Sequence, residues 1–81
     1  MRVTVKMFAS FREATGQGER ALEVEPGGTV GQLWERLVEE HSRLASMREV
    51  AGMAINGRYS APDSPLSDGD IVAFLPPVSG G

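Results

Sequence analysis

Polar and apolar residues alternate from Arg2 to Phe8, with Val3, Val5 and Met7 on one side and Thr4 and Lys6 on the other. This is the period-two pattern of a strand that buries one face. In the following "SFREATG", Ser10 is placed to cap a short helical turn and Gly16 to end it in a left-handed conformation. Alternation resumes in "RALEVE" through Ala21 or Leu22 and Val24, and Pro26-Gly27-Gly28 stops it. A second strand, antiparallel to the first, is predicted there. From Thr29 the period lengthens. Val30, Leu33, Trp34, Leu37, Val38 and His41 recur at spacings of three and four, while Glu35, Arg36, Glu39 and Glu40 fall on the other side. An amphipathic helix follows, opened by a capping box in "TVGQ" between Thr29 and Gln32.

Residues 42–49 carry no clear period. Beyond them, "VAGMAINGRYS" reads as two short strands around Asn56-Gly57, a dipeptide suited to the positive φ angles of a type I′ turn. "APDSPLSDGD" is rich in turn residues, with Leu66 as its core anchor and Asp68-Gly69 as a second tight turn. The last strand, Ile71 to Leu75, is apolar on both faces, and Pro76 and Pro77 end it because neither can donate to a ladder. A strand apolar on both faces fits a central position, and pairing it parallel to the first strand completes a mixed four-to-five-stranded sheet covered by one main helix. The class is α+β and the arrangement is the β-grasp, or ubiquitin-like, one. Within the last strand, Val72 and Phe74 are assigned to the core, and Ile71, Ala73 and Leu75 to the opposite face.

Eighty-one residues suffice for one hydrophobic core, so residues 1–81 are expected to be a single domain with 76–81 as a protruding C-terminal tail. With 41% hydrophobic and 23% charged residues, the chain has the composition of a folded domain. It contains no cysteine, which removes disulfides, thiolate nucleophiles and thiolate metal sites. A net charge of -3 without a basic stripe argues against nucleic acid as a ligand. The alternating N-terminus is neither a signal peptide nor a membrane span, so no membrane partner is expected and the cytoplasm is the expected compartment.

Catalytic sets are scarce. The lone histidine, His41, reads as a helix-end cation or a partly buried ring. Gly27, Gly28 and Gly31 make neither a dinucleotide fingerprint nor a P-loop, and read as a turn. Asp68 and Asp70 lack the further oxygen ligands of a calcium loop and read as a solvated turn. Trp34 and the phenylalanines lie within periodic elements, which favours packing over base stacking. The chain has no catalytic centre of its own, no metal site and no bound cofactor in this reading.

The remaining feature is the terminus, "PPVSGG". A chance Gly-Gly end occurs in roughly one chain in two hundred at average glycine usage, so the dipeptide alone is a weak signal. A linker scar is the plain alternative, but two prolines and Val78 do not resemble a flexible Gly/Ser spacer. Residues 76–81 can span about 20 Å, stiff at the prolines and free of side chains at Gly80 and Gly81. Such a tail can reach through a narrow channel into another protein's active site. Its carboxylate, once transferred to ATP as an acyl-adenylate, would be open to attack by a sulfur nucleophile.

"MFASFREATG", "LSDGDIVAFLPPVSGG" and the element order between them make the chain resemble the small subunits of molybdopterin synthase, sulfur carriers of the ubiquitin-like superfamily. The resemblance covers essentially the whole chain, and the tail shows no departure. It implies that Gly81 is adenylated by a ubiquitin-activating-like adenylyltransferase using ATP, then converted to a thiocarboxylate with sulfur from a donor protein. It also implies insertion into a large catalytic subunit, in a heterotetramer of two small and two large subunits, where sulfur passes to cyclic pyranopterin monophosphate. Gly80 would be the slender neighbour that the channel needs. Leu75, where the family often has an aromatic residue, would join Pro76, Pro77, Val78 and Ser79 in contacting the partner. Two alternatives share these features: a sulfur carrier for thiamine synthesis or tRNA thiolation, and a ubiquitin-like binding module whose tail is never activated. The prolines before the tail favour the molybdopterin branch.

Overall fold

A computed structural model of the protein describes residues 1–45 and 52–76. In chain order the elements are β1 (Arg2–Met7), α1 (Ala9–Thr15), β2 (Glu19–Glu23), α2 (Val30–Glu40), α3 (Ser42–Ala45), β3 (Gly52–Ile55), β4 (Arg58–Ser60) and β5 (Ile71–Leu75). The described strands form one five-stranded sheet in the order β2-β1-β5-β3-β4. β1 pairs antiparallel with β2 and parallel with β5, and β3 pairs antiparallel with both β5 and β4. This is the β-grasp arrangement expected from the element order, with the last strand in the centre.

The core lies between one face of this sheet and the apolar stripe of α2. Val3, Val5 and Met7 of β1, Leu22 of β2, and Val72 and Phe74 of β5 bury the inner face, against Val30, Leu33, Trp34 and Leu37 of the helix. Trp34 is the hinge of the packing: its ring sits 5.0 Å from Phe11 on one side and 5.0 Å from Phe74 on the other, tilted by 47° and 48°. These are favourable aromatic geometries. Leu66 is buried as the connection's anchor, and Leu44 of α3 is fully enclosed. Val38 packs on the rim of the cluster.

Helix α2 begins as its sequence requires. The Thr29 hydroxyl accepts from the Gln32 amide at 3.3 Å, and Gln32 Oε1 accepts from the Thr29 amide at 3.0 Å. The amides of Val30 and Gly31, which a helix start leaves unpaired, instead donate to Ser64 and Pro62 carbonyls at 3.1 and 2.8 Å. Gly31 is therefore not part of the preceding turn, as its sequence context suggested. It lies inside the helix, where a β-carbon would come within 2.9 Å of the Pro62 carbonyl oxygen. Gly27, with φ of 88°, does form that turn.

The cap expected at Ser10 is corrected by the structure. Phe8 is the N-cap of α1, without a side-chain cap bond, and Ser10 is already helical. The chain reverses one residue earlier because Ala9 adopts a left-handed φ of 48°, letting the amides of Phe11 and Arg12 reach the Phe8 carbonyl. Gly16, with φ of 73°, ends the helix as expected. Asn56 and Gly57 adopt φ of 51° and 82°, the paired positive angles of a type I′ turn.

The edge strand β2 is tied to α2 by charge. The Arg20 guanidinium donates to Glu40 Oε2 at 2.5 Å, Arg36 lies 3.6 Å from Glu40 Oε1, and Arg36 also donates to the Glu23 carbonyl. The hydrogen bond from Arg20 is the main reason that the Glu40 carboxyl sits below its ordinary range, since burial pushes it the other way.

Trp34→Ala should cost about 3–5 kcal/mol of unfolding free energy, because it removes both aromatic contacts and leaves a cavity, as read by urea denaturation. Glu40 has its folded pKa below the unfolded one, so its stabilisation is fully present above the ordinary carboxylate range and lost as pH falls through the folded value. Arg20→Met should therefore lower stability most near neutral pH, and its deficit relative to the parent should shrink in urea titrations taken down through that acidic window.

Candidate functional site

The side of the sheet turned away from α2 is set by the same alternation that builds the core. Because Val72 and Phe74 point inward with no exposure, Ile71, Ala73 and Leu75 point outward. In β3, Met53 and Ile55 pack on the core, which turns Gly52 and Ala54 outward beside Leu75 and Ala73. Tyr59 of β4 lies opposite Ala54 and is 83% exposed. A β-carbon built on Gly52 would be 3.1 Å from Tyr59 Cε1 and 3.5 Å from Leu75 Cδ1. The absent side chain is thus what lets the tyrosine ring and the leucine converge over this strand. Ile71 and Phe8, each 43% exposed, extend the apolar surface to either end.

Leu75 and Pro76 stand where β5 leaves the sheet, both half-buried. Pro77, Val78, Ser79, Gly80 and Gly81 lie outside the described residues. The other side chains considered from the sequence have structural employment. Asp68 Oδ1 accepts from the Arg2 amide at 2.8 Å, and Asp70 accepts from Asn56 Nδ2 at 2.9 Å and from the Ser67 amide at 2.7 Å. They clamp a turn that is more engaged than the solvated one expected. His41 is the C-cap residue of α2, with its backbone amide bonded to the Leu37 carbonyl at 2.9 Å. Its half-buried ring fits the second of the two sequence readings. Among the described residues no three His, Asp or Glu side chains converge as metal ligands, and no helix is long and apolar enough to cross a membrane.

A groove of about 410 Å³ runs between Val24, Glu25, Thr29, Gln32, Arg36 and Leu66. Its polar groups are largely committed, Thr29 and Gln32 to the helix cap and Arg36 to Glu23 and Glu40. Val24 bonds to Met1 at the start of β1, whereas β5 finishes beside Met7. The groove therefore lies away from the end of the sheet that leads to the tail.

The model of the ThiS family matches residues 5–81. The chain belongs to the ThiS family. Relatives of this ThiS-family chain extend the match over full length. The molybdopterin synthase sulfur carrier subunit of Chlamydomonas reinhardtii is 35% identical over 83 residues, covering 100% of both chains. That of Mycobacterium tuberculosis is 37% identical over 82 residues, covering 100% of this chain and 99% of its own. Among solved structures, SAMP1 from Haloferax volcanii superposes with a TM-score of 0.86 at 30% identity, covering 100% of each chain. A chain of the complex of subunits 1 and 2 of the molybdopterin-converting factor from Helicobacter pylori superposes with a TM-score of 0.69 at 26% identity, again over 100% of each chain.

Of the outward residues, only Leu75 entered the candidate site from sequence. The others were legible in principle. A two-residue turn at Asn56-Gly57 pairs Ile55 with Arg58 and Ala54 with Tyr59, so an inward Ile55 sends Ala54 and Tyr59 outward. The separation of the two faces has a direct consequence. Leu75→Glu should change unfolding free energy by about 1 kcal/mol or less, whereas Phe74→Glu should prevent cooperative folding by placing an unpaired charge in the core. Thermal melts followed by circular dichroism distinguish the two.

Proposed function

We propose that this chain is the sulfur carrier subunit of a molybdopterin synthase, with the carboxylate of Gly81 as its reactive group. The observation that carries the proposal is the match to sulfur carrier subunits over full length, running through Gly81, on a fold whose central strand leads straight into the tail. In the proposed cycle an oxygen of the Gly81 carboxylate attacks the α-phosphate of ATP on a ubiquitin-activating-like adenylyltransferase, and pyrophosphate leaves. Sulfur that a donor protein releases as hydrosulfide, with a thiol as reductant, then attacks the carbonyl carbon, AMP departs with the electron pair of the broken bond, the proton passes to solvent, and a thiocarboxylate remains. Its sulfur is delivered to cyclic pyranopterin monophosphate in the large catalytic subunit, two rounds supplying the dithiolene.

The described residues suit that task in two ways. The apolar outer face, with Tyr59 and Leu75 brought together over Gly52, has the composition of a docking patch: aliphatic side chains and one exposed tyrosine as a hot-spot anchor. The complex of subunits 1 and 2 from Helicobacter pylori supports a large catalytic subunit as the partner, in our proposal within an assembly of two small and two large subunits. Pro76 begins the tail at the rim of this patch, so docking there would direct residues 77–81 toward the partner. The smaller channel-facing contacts would fall to Pro76, Pro77, Val78 and Ser79, with Gly80 giving clearance.

A second reading draws on the likeness to SAMP1, a small archaeal modifier protein. Here the same activated carboxylate would be handed to an amine, giving an isopeptide instead of a thiocarboxylate. Incubation with the activating enzyme, ATP and a sulfur donor, followed by intact-mass measurement, separates the two. Replacement of one oxygen by sulfur at Gly81 supports the carrier, and stable adducts on partner lysines support the modifier.

Deletion of Gly81 should leave the unfolding transition in place, because the residue lies beyond the last strand. Molybdopterin formation with purified large subunit should be lost, since a reacting centre misplaced by about 1 Å can cost a hundredfold. Normal turnover by the truncated chain would refute the carrier reading. Gly80→Ala should retain the fold and impair activation or transfer, and Leu75→Glu should weaken binding to the large subunit in calorimetry.

A further inference from the structure

Lys6 is the only lysine in the sequence; every other cationic side chain that is not His41 is an arginine. This matters for a protein whose own terminus is converted to an acylating agent. A guanidinium holds its proton under all ordinary conditions and is no nucleophile, whereas a lysine amine is one as soon as it deprotonates. The chain therefore offers an acyl-adenylate two amines, Met1 N and Lys6 Nζ.

The structure separates them. The Met1 ammonium donates to the Val24 carbonyl at 3.0 Å, lies 3.9 Å from Glu23, and belongs to a residue whose side chain is only 11% exposed. It is stitched to the end of β2. Lys6 stands in the middle of β1, between Val5 and Met7, which point into the core, so its side chain rises from the outer face. That side chain is 43% exposed, and its one described partner, Glu19, is itself 64% exposed at 3.8 Å. Such a loose surface pair opens readily. Its cross-strand neighbour on β5 is Ala73, which leaves room for a slender segment to lie alongside.

Reach is also sufficient. Lys6 is in register with Ala73 on the adjacent strand, two residues before β5 ends at Leu75. Strand spacing and rise put that end about 8 Å from Lys6, against a contour of about 20 Å for residues 76–81. The tail of the same chain, or of a second copy, is long enough to deliver Gly81.

We infer that Lys6 is the self-acylation site of this protein: the amine that its own activated Gly81 modifies when sulfur is not supplied. The inference rests on the activation of Gly81 proposed above. The deprotonated Lys6 Nζ attacks the carbonyl carbon of the Gly81 acyl-adenylate, the carbon–nitrogen bond forms, and the bond to AMP breaks. AMP leaves with the electron pair and the amine proton passes to solvent, so the product is an isopeptide. No redox partner is involved. The reaction converts a carrier into an inert cyclised or dimeric chain. In the modifier reading it makes Lys6 the one lysine through which copies of this chain could be linked.

The test uses the full chain with a carboxylate-adenylating activating enzyme and ATP, without a sulfur donor, and with hydroxylamine in a parallel reaction to trap the adenylate as a Gly81 hydroxamate. We expect an adduct that digests to a branched peptide joining Gly81 to Lys6. It appears at monomer mass less one water if the tail acts on its own chain, and at twice the monomer mass less one water if it acts on a second copy. Lys6→Arg keeps the charge and should abolish the adduct while forming hydroxamate as fast as the parent. Branching at Met1, or an adduct that survives in Lys6→Arg, would overturn the assignment. So would abundant hydroxamate in the parent with no adduct, which leaves Gly81 activation standing. Failure to form hydroxamate at all would sink the activation reading and this inference together.

Discussion

Strand β5 has to be satisfied on three sides at once, and the rest of the molecule is arranged around that requirement. Its two ladder edges are taken by β1 and β3, its inner face by the helix through Phe74 and Trp34, and its outer face is left apolar. Remove the parallel pairing with β1 and the two halves of the sheet are joined only through the helix. The parallel pair is also the costliest contact to bring together, because its strands lie at opposite ends of the chain and must close a long loop before any bond repays it. Once it forms, β2 and β4 need only zip onto a sheet that already exists.

The polar groups near the start of β5 make sense in this light. Asp70 gives its carbonyl to the Thr4 amide and its carboxylate to Asn56 and Ser67, and Asn56 exchanges bonds with Ile71 through both its backbone amide and its side-chain oxygen. Asp68 takes the Arg2 amide. These few residues bind the entry of β5 to β1 on one side and to the β3–β4 turn on the other. A slip of one residue would exchange the core and outer faces of the strand. The aspartates that read as a solvated turn in sequence are the register lock of the central strand.

That lock has functional weight, because it fixes which apolar residues reach the outside. Ile71, Ala73 and Leu75 are displayed only while Val72 and Phe74 are buried, and Pro76 emerges at the rim of the displayed surface. The fold thus couples a stable core to a patch that contributes little to it. In the proposed function this separation allows a partner face to change without loss of the domain. Lys6 occupies the flank of the same face, where charge on β1 and β2 replaces apolar surface.

Much of the structure was legible in local patterns. Thr29 and Gln32 announced their cap, Asn56-Gly57 its turn, and the double-sided apolar run at 71–75 its central place, because each depends on backbone preferences or side-chain periods that span a few residues. The family likeness was legible too, while the expectations for Pro77 to Gly81 fall outside the described residues. Ser10 misled because cap propensity is weak beside the geometry of a chain reversing after β1, where Ala9 takes a left-handed angle that no local rule assigns to alanine. Gly31 misled for a similar reason: its need for a missing side chain comes from the Pro62 carbonyl, thirty-one positions on in sequence and in contact only after folding. The sequence by itself determined the five strands, α1 and α2, the β-grasp order and the two faces of β5, but not α3, which falls in the stretch without a clear period. Only the tertiary structure decided how Tyr59 and Leu75 meet over Gly52, what the aspartates hold, and that Met1 is tied down while Lys6 stands free of the core, because each of these is a meeting of residues whose separation along the chain carries no local signal.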